Sequence, residues 1–226
     1  MSMSDLFLDI GNTAVKWHFE GGYDSRLMAD FTIELLPEAD LVFVSCVGDK
    51  ALLVGLDNVI FAKSQASFKN FKSAYEAPED LGVDRFLVMI AAVDKNPNQD
   101  LLVIDAGSAL TFDLVLANGE HQGGLIMPGL GVLRRSFAPF SSDSKNLVLN
   151  STADNTTDSW AFGTAQMLMS VINAQIEQHQ QNLSNLKILL TGGDAKMIAL
   201  RLKYPVAIEP NLVLDGLALI AQSRNI

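Results

Sequence analysis

The sequence predicts an α/β protein built from two copies of one strand–turn–strand unit, and three observations carry that expectation. "LFLDIGNTAVKWHFE" at residues 6–20 and "LLVIDAGSALTFDLV" at 101–115 have the same shape: an apolar run, Asp-x-Gly, then a second strand-like run. Aligning Asp9 with Asp105 and Gly11 with Gly107 superposes the two stretches. "KILLTGGDA" adds another apolar strand that runs into a glycine turn, and strand-like and helical segments are mixed along the chain. A single Asp-Gly pair is an ordinary turn former. Two of them after matching strands, with a third strand-turn, favour duplication.

The elements follow in order. Period-two patterning predicts strands at "LFLDI", "AVKWHFE" and "LMADFTI". "DLVFVSCVG" and "NVIFAKS" read as buried strands flanking a short helical stretch, "KALLVGL". Pro78, Glu79 and Asp80 precede an apolar run at helical spacing, which Lys95, Asn96 and Pro97 close. "DLLVIDAG" and "ALTFDLVLANGE" pair as a hairpin, and "ANGE" offers an Asn-Gly turn. "HQGGLIMPGLGVLRRSF" reads as a glycine-rich segment and then a helix, with Arg134 and Arg135 on a solvated face. A polar loop spans 141–155. The long amphipathic helix after it carries Trp160, Phe162, Met167 and Met169 as core or as a subunit interface. "KILLTGGDA" and "PVAIEPN" supply further strands, and "LVLDGLALIAQS" a closing helix. The expected domains are 1–80 and 81–226.

Composition narrows the function. Of 226 residues, 49% are apolar and 19% charged, which describes a folded core and not a disordered chain. The runs "LVFVSCV" and "FLVMIAAV" are too short to span a bilayer, and "MSMSDLF" lacks the features of a signal peptide. Cys46 stands alone, so neither a disulfide framework nor a cysteine metal site is expected. These signs point to a cytoplasmic protein without a membrane partner. A formal net charge of −10 argues against nucleic acid. Any phosphate site must then be local, made of backbone N–H groups, a few cations and a bound metal. His18, His121 and His179 are scattered without ligand spacing and are expected at the surface or half-buried.

The repeated turn suits phosphate chemistry. In "DIGNTAVKW", Gly11 permits a sharp turn while Asn12 and Thr13 present N–H and hydroxyl donors. Asp9 can hold a metal or a metal-bound water beside the phosphates, and Lys16 adds one cation. "DAGSALTF" offers the same from the other half. The chain has no G-x-x-x-x-G-K-[ST] and no H-R-D or D-F-G set, which disfavours the P-loop and protein-kinase classes.

Six blocks, "DIGNTAVKW", "YEAPEDLGVDR", "DAGSALTFD", "GGLIMPG", "NTTDSWAFG" and "TGGDA", stand in the order and spacing of one family. On them the chain resembles, nearly end to end, the type III pantothenate kinases of the actin-like sugar kinase and Hsp70 superfamily. The resemblance implies duplicated actin-like (ribonuclease H-like) domains with a nucleotide cleft between them. It implies ATP-dependent phosphorylation of pantothenate to 4′-phosphopantothenate, the first step of coenzyme A biosynthesis. Carried over residue by residue, it gives Asp9, Ile10, Gly11, Asn12, Thr13, Ala14, Val15 and Lys16 to the ATP phosphates. Gly82, Val83, Asp84 and Arg85 go to pantothenate, with Asp84 as the base for its primary hydroxyl and Tyr75 lining the same pocket. Asp105 becomes the ligand of an activating monovalent cation, K+ or NH4+, with Mg2+ arriving with ATP. Ser108 stands for an ATP-contacting threonine, and Thr156 for a threonine of the second substrate block. A homodimer is implied as well.

Taken alone, an Asp beside an Arg at a loop-to-helix junction is a common ion pair or cap. Beside the phosphate motifs, "GVDR" pairs a carboxylate for the attacking hydroxyl with a cation for the substrate's own carboxylate. The family pattern Asp-x-Gly-Thr-Ala-Thr-Thr is here "DAGSALT"; serine keeps the hydroxyl, while Leu110 removes one polar group. Two other readings stay open: another actin-like kinase acting on a sugar or related alcohol, and a nucleotide-binding regulator of the same fold that has lost turnover. Leu110 is the support for the second.

Overall fold

The computed structural model describes residues 4–56, 58–144 and 146–224. Its contacts divide the chain into two compact units, Met1–Lys95 with Asn211–Ile226, and Asn96–Pro210.

The first unit is built on a five-stranded sheet of β1 (Asp5–Ile10), β2 (Ala14–Phe19), β3 (Gly22–Leu27), β4 (Leu41–Cys46) and β5 (Val59–Phe61). The spatial order is β3-β2-β1-β4-β5, with β1–β2–β3 antiparallel and β4 and β5 parallel to β1. Alternation decides its faces. Leu6, Leu8 and Ile10 of β1 join Val15, Trp17, Val42 and Val44 in one buried cluster, so Phe7 and Asp9 take the opposite face. A short hairpin of β6 (Ser67–Phe68) and β7 (Phe71–Lys72) then leads to α1 (Val83–Lys95). Phe68 and Phe71 both meet Phe86 of α1 edge-on.

The second unit repeats the plan. Its strands are β8 (Leu101–Ala106), β9 (Ala109–Val115), β10 (His121–Pro128), β11 (Lys187–Thr191) and β12 (Ala207–Ile208). The order β10-β9-β8-β11-β12 and the strand directions match the first sheet one for one. The helices are α2 (Leu130–Arg135), α3 (Thr156–Gln180) and α4 (Ala195–Ala199). The last helix, α5 (Leu212–Arg224), returns to the first unit. The duplication expected from two Asp-x-Gly turns is therefore a duplication of whole sheets.

Several local expectations differ from what is observed. "LMADFTI" forms only the end of β3 and two 3₁₀ turns, Met28–Asp30 and Ile33–Leu35. The strand beside it, β3, is exposed along its length and carries Asp24 and Arg26. An edge strand guarded by charges has no apolar alternation to read. "HQGGLIMP" is strand β10, whose two glycines sit at a bulge between His121 and Gly124. By contacts the chain divides at 95/96 and again at 210/211, and α1 belongs to the first unit, where it is enclosed. Phe86 to Ala92 are all buried, and α5 lies so close that a Cβ on Gly216 would stand 2.4 Å from the Leu87 carbonyl oxygen. His121 is buried, with its Nε2 3.0 Å from the Asp113 carboxylate. The α3 residues do not form one stripe. Met167 is 61% exposed and Met169 3%, as expected for side chains two positions, roughly 200°, apart. The core face of α3 is Ala165, Leu168, Met169, Ile172 and Ile176. Among the described residues no helix is long and apolar enough to cross a membrane.

Candidate active site

The first turn joins β1 to β2. The Gly11 N–H donates to the Ala14 carbonyl at 3.1 Å, and the Met28 N–H to that of Thr13 at 2.8 Å, so the turn is tight and tethered to β3's end. Asn12 and Thr13 are exposed at its tip, while Val15 points into the core with Ile10. Residues 9–16 thus split by alternation: Ile10 and Val15 anchor the turn, and the tip residues are open to a ligand. Asp9 sits in register between Lys16 of β2 and Ser45 of β4. Burial pushes its carboxyl up to about 6, with the Asp84 charge adding to the rise and Lys16 and Ser45 opposing it. Ser45 was not anticipated from sequence, because only the parallel register brings it beside Asp9.

Asp84 and Arg85 open α1. The Asp84 carboxylate folds back to accept from the Arg85 N–H at 2.8 Å. It fills the space beside Gly82, where a Cβ would stand 2.8 Å from Asp84 Oδ1. Val83, the first residue of the helix, stays half-buried. Arg85 Nη1 donates to the Tyr75 hydroxyl at 3.0 Å, and the guanidinium lies 5.8 Å from that ring's centre. The expected partners Tyr75 and Arg85 are therefore together, Tyr75 from the loop after β7 and Arg85 from the start of α1. Arg85 is 6% exposed, so little of its guanidinium is open.

The second turn joins β8 to β9, where the Gly107 N–H donates to the Ala109 carbonyl at 2.9 Å. In register, Asp105 stands between Thr111 of β9 and Thr191 of β11. Ser108 is half-buried beside it, and its carbonyl accepts from the Gly129 N–H. Leu110 is 1% exposed and belongs to the core cluster. Alternation sends it to the opposite face from Asp105, so its lack of a hydroxyl removes nothing from the turn. The "TGGDA" segment closes in from β11. Gly192 has φ +91, and a Cβ there would lie 2.4 Å from both the Ala106 carbonyl oxygen and Asp105 Oδ1, so only glycine fits. Thr156 is the exposed first residue of α3, capped by Asn155, whose side chain accepts from the Asp158 N–H at 2.9 Å.

Among the described residues, no cluster of three His, Cys, Asp or Glu side chains is arranged to hold a metal ion. The register neighbours of Asp105, Thr111 and Thr191, each carry a hydroxyl, an oxygen donor of the kind hard cations take.

A family model described as type III pantothenate kinase matches residues 50–178. A type III pantothenate kinase of Flavobacterium johnsoniae is 30% identical over 233 residues, covering 94% of this chain and 95% of the relative. One from Laribacter hongkongensis is 31% identical over 242 residues, covering 96% and 98%. Among solved structures, a Campylobacter jejuni protein described as a Baf family transcriptional activator superposes with a TM-score of 0.65. It is 24% identical, with 98% of this chain and 100% of that one covered. That likeness bears on the fold alone.

Proposed function

The chain belongs to the type III pantothenate kinase family, and on that premise we propose how its residues divide the work. The protein is a kinase of the actin-like fold that phosphorylates pantothenate with ATP, the opening step toward coenzyme A. ATP phosphates lie on the β1–β2 turn, residues Asp9 to Lys16, with Ser108 of the β8–β9 turn as a further contact. Exposed N–H and hydroxyl groups at a glycine turn bind phosphate without adding net charge, which suits a chain at −10.

Pantothenate lies against Gly82, Val83, Asp84, Arg85 and Tyr75, with Thr156 as a second contact. Asp84 takes the proton of the primary hydroxyl; the hydroxyl oxygen bonds to the γ-phosphorus, and the bond from that phosphorus to the β-phosphate oxygen breaks to release ADP. Arg85 pairs with the substrate carboxylate, directly or by holding the Tyr75 hydroxyl toward it. Mg2+ carried by ATP would neutralise phosphate charge, and Asp105 would hold a monovalent cation, K+ or NH4+, which would offset the acidity of the second turn.

The observation that best supports this reading is the grouping at the start of α1, where Asp84 is followed by Arg85 and the Arg85 guanidinium donates to the Tyr75 hydroxyl at 3.0 Å, so that a carboxylate, a cation and a phenol lie together. A coupled ADP-release assay tests it. ADP should appear with pantothenate and not with glucose or glycerol; release with the sugar alone, or none with any acceptor, would overturn it. Assembly as a homodimer fits the exposed Phe137, Phe140 and Met167; a monomer mass by light scattering at micromolar concentration would refute that.

A further inference from the structure

Arg134 does not lie on a solvated face. It is 0% exposed, the largest fully buried side chain of the described residues. A buried guanidinium is costly unless its N–H groups are satisfied, and here they converge on fixed acceptors. Nε donates to Thr164 Oγ1 at 3.2 Å, Nη1 to the Ser144 carbonyl, and Nη2 to the carbonyls of Asn146 at 2.7 Å and Ala161 at 3.2 Å. The main chain of the same residue is used as well: its carbonyl accepts from Trp160 Nε1 at 3.1 Å and from the Ser142 N–H. One residue of α2 therefore ties the polar 141–155 segment to the first turns of α3.

Packing alone does not call for this, since a leucine or methionine would fill the space more cheaply. What an arginine adds is direction: several donors in a rigid fork define where two carbonyl-bearing segments lie relative to each other. The segment so held ends at Asn155 and Thr156. Burial lowers the Arg134 pKa, and the charge of Asp194 in the turn after β11 partly opposes that.

We propose that Arg134 is a positioning residue for pantothenate recognition: it fastens the 141–155 segment to α3 and so sets the place of Thr156, without touching substrate. The proposal rests on the reading that Thr156 contacts pantothenate. Arg134→Lys and Arg134→Met test it, with Thr156→Ala in parallel. In the methionine variant the KM for pantothenate should rise roughly tenfold, the loss of about one charge-assisted hydrogen bond, with kcat and the KM for ATP within about twofold. Amide hydrogen exchange should quicken in 141–155 and not in β8, β9 or β11. Lysine, which keeps charge but not the fork, should fall between parent and methionine.

Unchanged exchange in 141–155 overturns the strap. Both KM values and the melting temperature shifting together, in the lysine variant too, overturns a positioning role in favour of a merely structural one. If Thr156→Ala leaves the pantothenate KM unchanged, the reading of Thr156 has failed on its own. A raised KM in Arg134→Met would then still support positioning of the segment, and an unchanged KM would overturn it.

Discussion

Asp9 and Asp105 occupy the same place in two sheets of identical strand order, the penultimate residue of the first strand before a glycine turn. Their neighbours differ. In register, the first aspartate is flanked by a lysine and a serine, Lys16 and Ser45, and the second by two threonines, Thr111 and Thr191. The first also has Asp84 nearby, a carboxylate whose charge it feels. The backbone plan is present twice, and the residues that flank the two aspartates differ, which is the contrast the proposed roles of the two turns rest on.

The largest effect is expected at Asp84, the proposed base. Asp84→Asn keeps shape but cannot take the hydroxyl proton, so kcat should fall about 10²–10⁴-fold. ATP affinity by calorimetry and the melting temperature should stay near those of the parent. Turnover within roughly threefold of the parent, only about 0.65 kcal/mol of barrier, would remove Asp84 from the chemistry.

Next comes the contrast in substrate grip. Arg85→Lys keeps the charge but loses the planar fork held against Tyr75. The KM for pantothenate should rise about ten- to a hundredfold, with that for ATP little changed. Tyr75→Phe beside it separates a direct grip from support through the hydroxyl: an equal rise in both variants points to the hydroxyl.

The cation contrast is expected to be smaller. Rates in potassium or ammonium should exceed those in sodium or lithium at matched ionic strength, and Asp105→Asn should lose most of that difference. If Asp9→Asn erased the preference while Asp105→Asn kept it, the assignment of the two turns would be reversed.

The smallest effect is on stability without nucleotide. The Asp9 carboxyl stands at about 6 in the folded protein against 3.8 for the free group, so folding favours its protonated form. Stability is therefore greatest below the unfolded value and is lost as pH rises from 3.8 through about 6. Asp9→Asn, which mimics the protonated form, should raise the melting temperature at pH 7–8, and the gain should vanish near pH 4. The ceiling is ~3 kcal/mol for a shift of about two units. A gain as large at pH 4 as at pH 8 would assign the effect to packing.

Local chemistry made much of this readable in advance. Glycine turns after apolar strands announced both Asp-x-Gly sites, and Pro78, Glu79 and Asp80 before an apolar run announced α1 and with it Asp84. These are short-range signals: period, turn-forming residues and start signals act within a few residues of where they are written. The "GVDR" block and Tyr75 were legible for the same reason, lying within ten residues of each other along the chain.

Other features needed the folded chain. Ser45 and Thr191 became neighbours of the two aspartates only through parallel pairing, which joins residues far apart in sequence and leaves no local trace. Strand β3 could not be read because its partner, not its own apolar pattern, holds it in the sheet. The return of α5 to the first unit depends on Gly216 admitting the Leu87 backbone, a contact across 129 positions that period and composition do not encode. Arg134 is the plainest case. Its charge argued for solvent, and only the convergence of one hydroxyl and three carbonyls from separate segments made burial the better place. Local propensity chose the elements; long-range hydrogen bonding and close packing, which act between residues the chain keeps apart, decided which side chains those elements bring together.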